Sequence, residues 1–299
     1  MNKNKFIFLA FGIALCILSC DNNTGNGEQI SVSQDSFSFV FMTDAHLEYQ
    51  GDALKYFGQA IDTVNKIKPD FVITGGDLVR DVNNVRETYA DSLFNLYLSE
   101  IQKFDMPVYS TIGNHEITGL RPASDVMPNN PMYGKGMFEK KIGKRFSSFE
   151  HKGWKFFILD DLKVLENERR VVGHFDEEQM EWLKNELAKT DTLTPIAVSC
   201  HIALITTIKK FEFGSMSGTP DFSAVDNSKE FFDLFKHHKL KLVLQGHEHF
   251  LEVLYAMDIY FVTGSSVSGS WFINPPETRG MVLFHVSGED ISWQFIANN

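Results

Sequence analysis

Phe37-Ser38-Phe39-Val40-Phe41-Met42-Thr43-Asp44-Ala45-His46 runs from a short apolar segment straight into an aspartate and a histidine. Residues 37–42 are too few for a helix and too apolar for a surface strand, which predicts a strand buried on both faces in a layered α/β fold. Asp44 and His46 then stand just past its carboxyl end.

The same arrangement recurs along the chain. Leu54, Phe57, Ile61 and Val64 follow at helical spacing, and the run Phe71-Val72-Ile73 leads into Gly75-Gly76-Asp77. A helical stretch over residues 85–104 precedes a strand at 107–111, which ends in Gly113-Asn114-His115-Glu116. Asp176, with Gln179 three residues on, marks a helix start whose inner stripe is Met180, Leu183 and Leu187. Strands at 196–199 and 240–245 run into Cys200-His201 and Gly246-His247-Glu248-His249. Strand-like runs follow at 251–255, 259–263, 281–286 and 291–295, so the expected architecture is α/β, two sheets face to face with helices outside. No internal repeat or Pro- or Ser-rich linker divides residues 36–299, which read as one domain.

Each polar cluster therefore lies beyond the carboxyl end of an apolar run, where open α/β sheets form their binding crevice. Its donors are carboxylate, amide and imidazole with no thiolate, a set that suits hard or borderline cations such as Fe, Mn or Zn. Two such ions roughly 3.5–4 Å apart clamp the attacking and leaving oxygens of an in-line displacement, and holding them that close requires a shared carboxylate. Asp77 is the natural bridge. Asp44, His46 and one of His247 and His249 would complete one site; Asn114, His201 and the other histidine would complete the second.

The set D-x-H, G-D, G-N-H-E, H and G-H-x-H, in that order from residue 37 onward, is similar to the calcineurin-like metallophosphoesterase superfamily. That resemblance implies a four-layer α/β/β/α sandwich of two mixed sheets and a dinuclear centre of divalent or trivalent ions. It assigns Asp44, His46, Asp77 and His249 to the first metal and Asp77, Asn114, His201 and His247 to the second. It makes His115 the catalytic residue, facing the substrate either to protonate the leaving alkoxide or to steady the phosphoryl oxygens, while a metal-bound hydroxide attacks phosphorus. The implied activity is hydrolysis of small phosphate monoesters. Hydrolysis of diesters, of cyclic-nucleotide or phospholipid type, and a metal-binding surface protein without catalysis are the alternatives.

Departures narrow the class. Purple acid phosphatases of the superfamily carry a tyrosine three residues after the bridging aspartate and lack the D-x-H histidine; this chain has Arg80 there and keeps His46, so no purple iron centre is expected. Protein Ser/Thr phosphatases have aspartate then arginine at the third and fourth positions. Here Arg80 precedes Asp81, which suggests Arg80 on the phosphate and Asp81 orienting His115. Ile202-Ala203 follow His201 where many relatives have a proline two residues on. Glu116 and Glu248 read as loop hydrogen-bonding groups, and His151, His174, His237, His238 and His285 as structural.

At the amino end, Lys3 and Lys5 precede an apolar run at 6–18 that closes on Ser19-Cys20. Ile17-Leu18-Ser19-Cys20 resembles the lipobox of bacterial lipoproteins, implying a signal peptide at 1–19, lipidation of Cys20, a polar tether at 20–35 and export to a periplasm-facing or cell-surface membrane site. The whole chain has 28 basic and 39 acidic residues, a net charge of −11; loss of Lys3 and Lys5 makes the mature charge −13. Such an acidic protein is not expected to bind nucleic acid, whose affinity comes largely from neutralising phosphates. Cys16 leaves with the signal and Cys20 takes lipid, so Cys200 stands alone and packs as a small apolar residue. Three irregular stretches, 117–145, 206–227 and 264–280, are placed to choose the substrate. The first carries Arg121, Lys135, Lys140, Lys141, Lys144 and Arg145, which could attract an anion; the third carries Trp271 and Phe272, which could stack on a sugar or base.

Overall fold

A computed structural model describes residues 36–207, 224–269 and 279–298. The opening strand, β1 (Ser36–Met42), pairs in parallel with β2 (Phe71–Thr74), which pairs in parallel with β3 (Val108–Ser110). On its other side β1 pairs antiparallel with β12 (Gly280–Ser287), and β12 with β13 (Asp290–Ala297), closing a five-stranded sheet.

A six-stranded sheet is built in the same style. Its inner strands β5 (Trp154–Ile158), β8 (Pro195–Ser199), β9 (Lys239–Gln245) and β11 (Ile259–Thr263) are parallel, and β4 (Ser147–His151) and β10 (Glu252–Ala256) lie antiparallel at the edges. A separate hairpin joins β6 (Leu162–Leu165) and β7 (Arg170–Gly173). The helices are α1 (Ala53–Ile67), α2 (Glu87–Ile101), α3 (Gly136–Lys141), α4 (Glu177–Ala188) and α5 (Ser228–Leu234). Two large mixed sheets flanked by helices are what the sequence implied.

Alternation along β1 explains the layering. Phe37, Phe39 and Phe41 point between the sheets, in a cluster with Phe71 and Phe284 of their own sheet and Trp154, Phe156, Leu242 and Leu244 of the other. Val40 and Met42 point the opposite way, into a cluster with Phe57, Ile61 and Val64 of α1. Both faces are buried, and each fully buried side chain of this size contributes about 1.5–3 kcal/mol. Aromatic rings fill the gap between sheets: Phe39 stacks on Phe284 at 4.8 Å, and Phe71 meets Phe156 edge-on at 5.2 Å.

Local signals set the helix ends. Asp176 caps α4 by accepting from the Gln179 amide at 2.9 Å, and Leu183 and Leu187 of that helix are buried. At the end of α1, Lys68 turns into the left-handed region and donates its amide to the Val64 carbonyl. The sequence reading passes over β4 and β5, which are joined by Lys152-Gly153 with φ of 43° and 82°, the two positive angles of a tight hairpin turn. It also passes over β6, β7, α5, and α3 within the stretch 117–145. Among the described residues no helix is long and apolar enough to cross a membrane. The calls on residues 1–35, and on Trp271 and Phe272, fall outside the described residues.

Candidate metal centre

Asp44 follows β1, Asp77 follows β2, Asn114 follows β3, His201 follows β8, and His247 and His249 follow β9. The strand-end loops are laced to one another by main-chain bonds: the Asp44 amide to the Gly76 carbonyl, the His46 amide to the Asp77 carbonyl, and the Gly246 amide to the His201 carbonyl, all at 2.9–3.0 Å. Donors far apart in sequence therefore share one crevice.

Two groups form within it. Asp44, His46, Asp77 and His249 present donor atoms within 4.8 Å of one another, and so do Asp77, His201 and His247. Asn114 belongs with the second group, its Oδ1 lying 3.0 Å from His201 Nε2 and 2.9 Å from His247 Nδ1. Asp77 faces both: Oδ2 is 3.8 Å from His46 Nε2, and Oδ1 is 3.3 Å from His201 Nε2. In the first group His46 Nε2 and His249 Nε2 stand 3.0 Å apart, and His249 Nε2 is 3.2 Å from Asp44 Oδ1.

The donor set fits a pair of cations. His201 Nδ1 lies 2.8 Å from the Gly75 carbonyl, a bond only a protonated Nδ1 can donate, which leaves the Nε2 lone pair aimed at Asn114 and Asp77. Histidines holding metals are oriented in this way by a carbonyl behind the ring. The Thr43 hydroxyl donates to Asp44 Oδ2 at 2.7 Å, and the His247 amide also points at that carboxylate.

Electrostatics agree with ligation. Burial drives the imidazoles of His46 and His247 down to about 3, so both stay neutral at physiological pH, the form that binds metal. Burial also disfavours charge on His201, but without a cation the Asp77 carboxylate outweighs it and holds that ring up at about 10, so an ion at this position would displace the Nε2 proton. For Asp77 burial works toward a raised value; His115 and His201 overcome it and keep the carboxyl well below its ordinary range. Anionic oxygens here are balanced by nearby positive charge, the place a cation takes.

Backbone conformation at these corners is unusual. Asp44, His46, Asp77, His247 and His249 all have left-handed φ, between 46° and 70°. Aspartate and histidine tolerate this region better than most residues, yet it still costs on the order of 1 kcal/mol each. Gly76, at φ 95°, allows the approach of His201, whose Nδ1 would lie 2.5 Å from any Cβ there.

His115 is placed differently from the ligands. Its Nδ1 donates to the main-chain carbonyl of Arg80, its ring stands edge-on to His46 at 4.7 Å, and its Nε2 lies 3.7 Å from Asp77 Oδ2. It is partly exposed at the mouth, whereas Asp44, His46, Asp77 and His201 are almost wholly buried. The group orienting His115 is thus a carbonyl, one residue before the Asp81 side chain expected for that task. Asp81 Oδ1 instead accepts from the Asn83 amide and side chain, both at 2.7 Å. The Arg80 guanidinium pairs with Glu48 at 3.3 Å.

Supporting residues surround the donors: Glu116 and Cys200 in the roles read from sequence, and Asp161 and Gln245, which that reading passes over. Glu116 ties the loop after β3 to the loop after β2, accepting from the Gly113 amide at 2.7 Å and the Val79 amide at 3.1 Å; burial and the charge of Asp77 raise its carboxyl to about 8. Asp161, just beyond the carboxyl end of β5, accepts from the His201 amide at 3.2 Å, and burial raises it to about 7. Gln245 fixes the loop after His201 through the Leu204 amide at 2.9 Å. Cys200 is buried, and burial pushes its thiol far up. A cavity of about 330 Å³ opens beside the donors, lined by His115, Asn114, His247, Arg121, Arg169 and Arg170 among others. Of the other expected cations, Lys135 is paired with Asp160, Lys141 with Asp91, and Arg145 with Asp160, Asp176 and Glu178.

Comparison with known proteins places this geometry. The family model for calcineurin-like phosphoesterases matches residues 37–251. The fold is similar to a dimetal phosphatase from Danio rerio, with a TM-score of 0.65 at 13% identity, covering 88% of this chain and 96% of that one. It is also similar to a purple acid phosphatase from yellow lupin seeds, with a TM-score of 0.58 at 16% identity over 89% of this chain and 52% of that one. A DNA double-strand break repair protein, Mre11 of Methanococcus maripaludis, is 30% identical over 125 residues, 37% of this chain and 29% of that protein. The chain thus spans under a third of the length of that curated relative.

Proposed function

This chain belongs to the calcineurin-like phosphoesterase family, and from that premise we propose that it hydrolyses phosphate monoesters at a pair of cations held by the two donor groups. As a member of the family it is a hydrolase of phosphate esters; the monoester preference, the ligand assignment and the role of His115 are the proposal. One observation carries it: the two oxygens of Asp77 face separate donor groups, and Nε2 of His115 lies 3.7 Å from one of them on the mouth side.

Asp44, His46, Asp77 and His249 would hold one ion, and Asp77, Asn114, His201 and His247 the other. When bound, the ions polarise the phosphoryl oxygens and acidify water. His115 supplies what the cations cannot. With Nδ1–H fixed on the Arg80 carbonyl, a protonated ring directs Nε2–H into the crevice, toward the oxygen leaving phosphorus. As water adds to phosphorus and the ester P–O bond breaks, that proton neutralises the departing alkoxide, so the products are orthophosphate and the free alcohol. His115 is then left neutral and regains its proton from solvent through the open side.

The discriminating experiment strips the purified protein of metal, restores Mn, Zn, Fe or Mg singly, and compares nitrophenyl phosphate with bis(nitrophenyl) phosphate. Faster hydrolysis of the monoester is expected. A preference for the diester would reverse the substrate class, and no turnover of either with any metal would remove the enzymatic reading. The amino-terminal pattern supports a lipid anchor at Cys20. Cys20→Ala is expected to move the protein from the membrane fraction to the soluble one; unchanged partition would refute the anchor.

A further inference from the structure

We propose that the cavity beside the donor groups binds a second anionic group, phosphate or carboxylate, borne by the alcohol part of the substrate and gripped by Arg121 and Arg169. The proposal rests on the phosphoesterase reading and narrows its substrate class.

The cavity lined by His115, Asn114 and His247 is also lined by three arginines, Arg121, Arg169 and Arg170. On a protein of net charge −11 this is a local reversal of sign. Arg170 is bonded to Glu168 at 2.6 Å. Among the described residues, by contrast, no carboxylate comes within ion-pair distance of Arg121 or Arg169, whereas Arg145 and Lys135 in the preceding stretch are paired. The one carboxylate in the cavity lining, Asp81, is occupied by Asn83.

Both arginines are fixed at the main chain. Arg121 donates its amide to the Asn83 carbonyl at 3.0 Å, and the Asn83 side chain donates to the Asn114 carbonyl at 3.1 Å, so Arg121 is tied through two bonds to a member of the second donor group. Arg169 sits at the turn of the β6–β7 hairpin with φ 51°, its amide bonded to the Glu166 carbonyl at 3.2 Å. The four paired positions of that hairpin brace the turn.

A second cavity, of about 460 Å³, shares Leu120, Arg121 and Arg169 with the first and continues past Tyr133 and Pro128, with Glu166 as its acidic residue. The two arginines therefore stand where the space around His115 passes into an outer groove. A substrate whose phosphoryl group lies at the donors, with its leaving group on the His115 side, extends toward them. Guanidinium forks match both phosphate and carboxylate oxygens, which makes anion recognition the natural use of such a pair.

The test measures kcat/KM of the manganese-loaded full chain on three series of three to six carbons: alkyl monophosphates, α,ω-alkane bisphosphates and ω-phosphorylated alkanoates. At least one doubly anionic substrate is expected to be preferred tenfold or more over the alkyl monophosphate of equal length. Whether bisphosphate or alkanoate leads identifies the second anion. The double substitution R121A/R169A should bring that preference to within about twofold, and R169K should restore part of it; Arg121→Gln and Arg169→Gln singly replace the double variant should its melting show misfolding. A wild-type preference near one throughout, or a preference that survives both substitutions, overturns the proposal. If no ester is hydrolysed at all, the phosphoesterase reading has failed, and calorimetry with propane-1,3-bisphosphate on metal-free protein decides the arginine site. Binding lost in the variants then supports it; no wild-type binding, or equal binding by the variants, refutes it.

Discussion

Gly113→Ala probes how tightly the donor cluster is built. Gly113 has φ −115° and ψ 174°, extended backbone that alanine adopts freely, so the substitution adds a methyl group and nothing else. That methyl would stand 2.1 Å from the Asp77 amide nitrogen and 2.3 Å from Asp77 Oδ1, where van der Waals contact needs about 3.5 Å. Asp77, the carboxylate that faces both donor groups, must retreat by roughly 1 Å in a close-packed interior that has little slack. Metal ligation tolerates about 0.2 Å, and a misplacement of 1 Å near the reacting atoms costs about 10²-fold in rate. Overpacking adds a folding cost of about 1–3 kcal/mol. Elemental analysis after dialysis against limiting manganese should show reduced occupancy, and turnover of nitrophenyl phosphate should fall at least 10²-fold. Gly58→Ala is the control: a Cβ there meets nothing within 4 Å in α1, so that variant should keep metal and gain about 0.5–1 kcal/mol. Full metal content with turnover within threefold of wild type in Gly113→Ala would show that the cluster is not held as described.

His115→Ala should retain both metals and lower kcat by about 10²–10⁴; a parallel loss of metal would make it a ligand instead. Chelation should lower the melting temperature by several degrees and metal should restore it, because ions bound only by the folded form add about 4 kcal/mol at a thousandfold excess over Kd; a melting curve indifferent to chelator would speak against the site. Asp176→Ala should cost about 1–2 kcal/mol at pH 7, through loss of the α4 cap and of the Arg145 bond at 2.6 Å. Burial opposes ionisation of Asp176, but the Gln179 amide and Arg145 hold its carboxyl below the ordinary value of 3.8. The stabilisation is therefore present above about pH 4 and fades as pH falls through the lowered native value. A stability deficit as large at pH 3 as at pH 7 would refute that assignment.

The sheet cores were legible because strands buried on both faces leave short apolar runs, and the donors were legible because each ends such a run. Phe37 to His46 shows both signals in a single stretch. The β4–β5 hairpin was harder: Ser147-Ser148-Phe149-Glu150-His151 at a sheet edge is mostly polar, and its one local clue is the Lys152-Gly153 turn. With β5 unread, Asp161 at its end had no visible reason to matter. Arg145 illustrates a different limit. It looks free to draw an anion, yet its partners Asp160, Asp176 and Glu178 come from 15 to 33 residues away, and only folding brings them to it. Arg169 is the converse, one of many exposed charges in sequence, made notable by a hairpin that sets it over the crevice.

Five corners that carry acids and imidazoles in the left-handed region mark where stability and chemistry diverge. Glycine adopts that conformation without steric penalty, so it relieves strain there while removing the donor. In the absence of metal, drift or directed evolution that rewarded melting temperature alone would replace these corners one by one, ending with a less strained sandwich that can no longer hold an ion. Keeping the side chains at those turns requires pressure from the bound ions and the chemistry they serve.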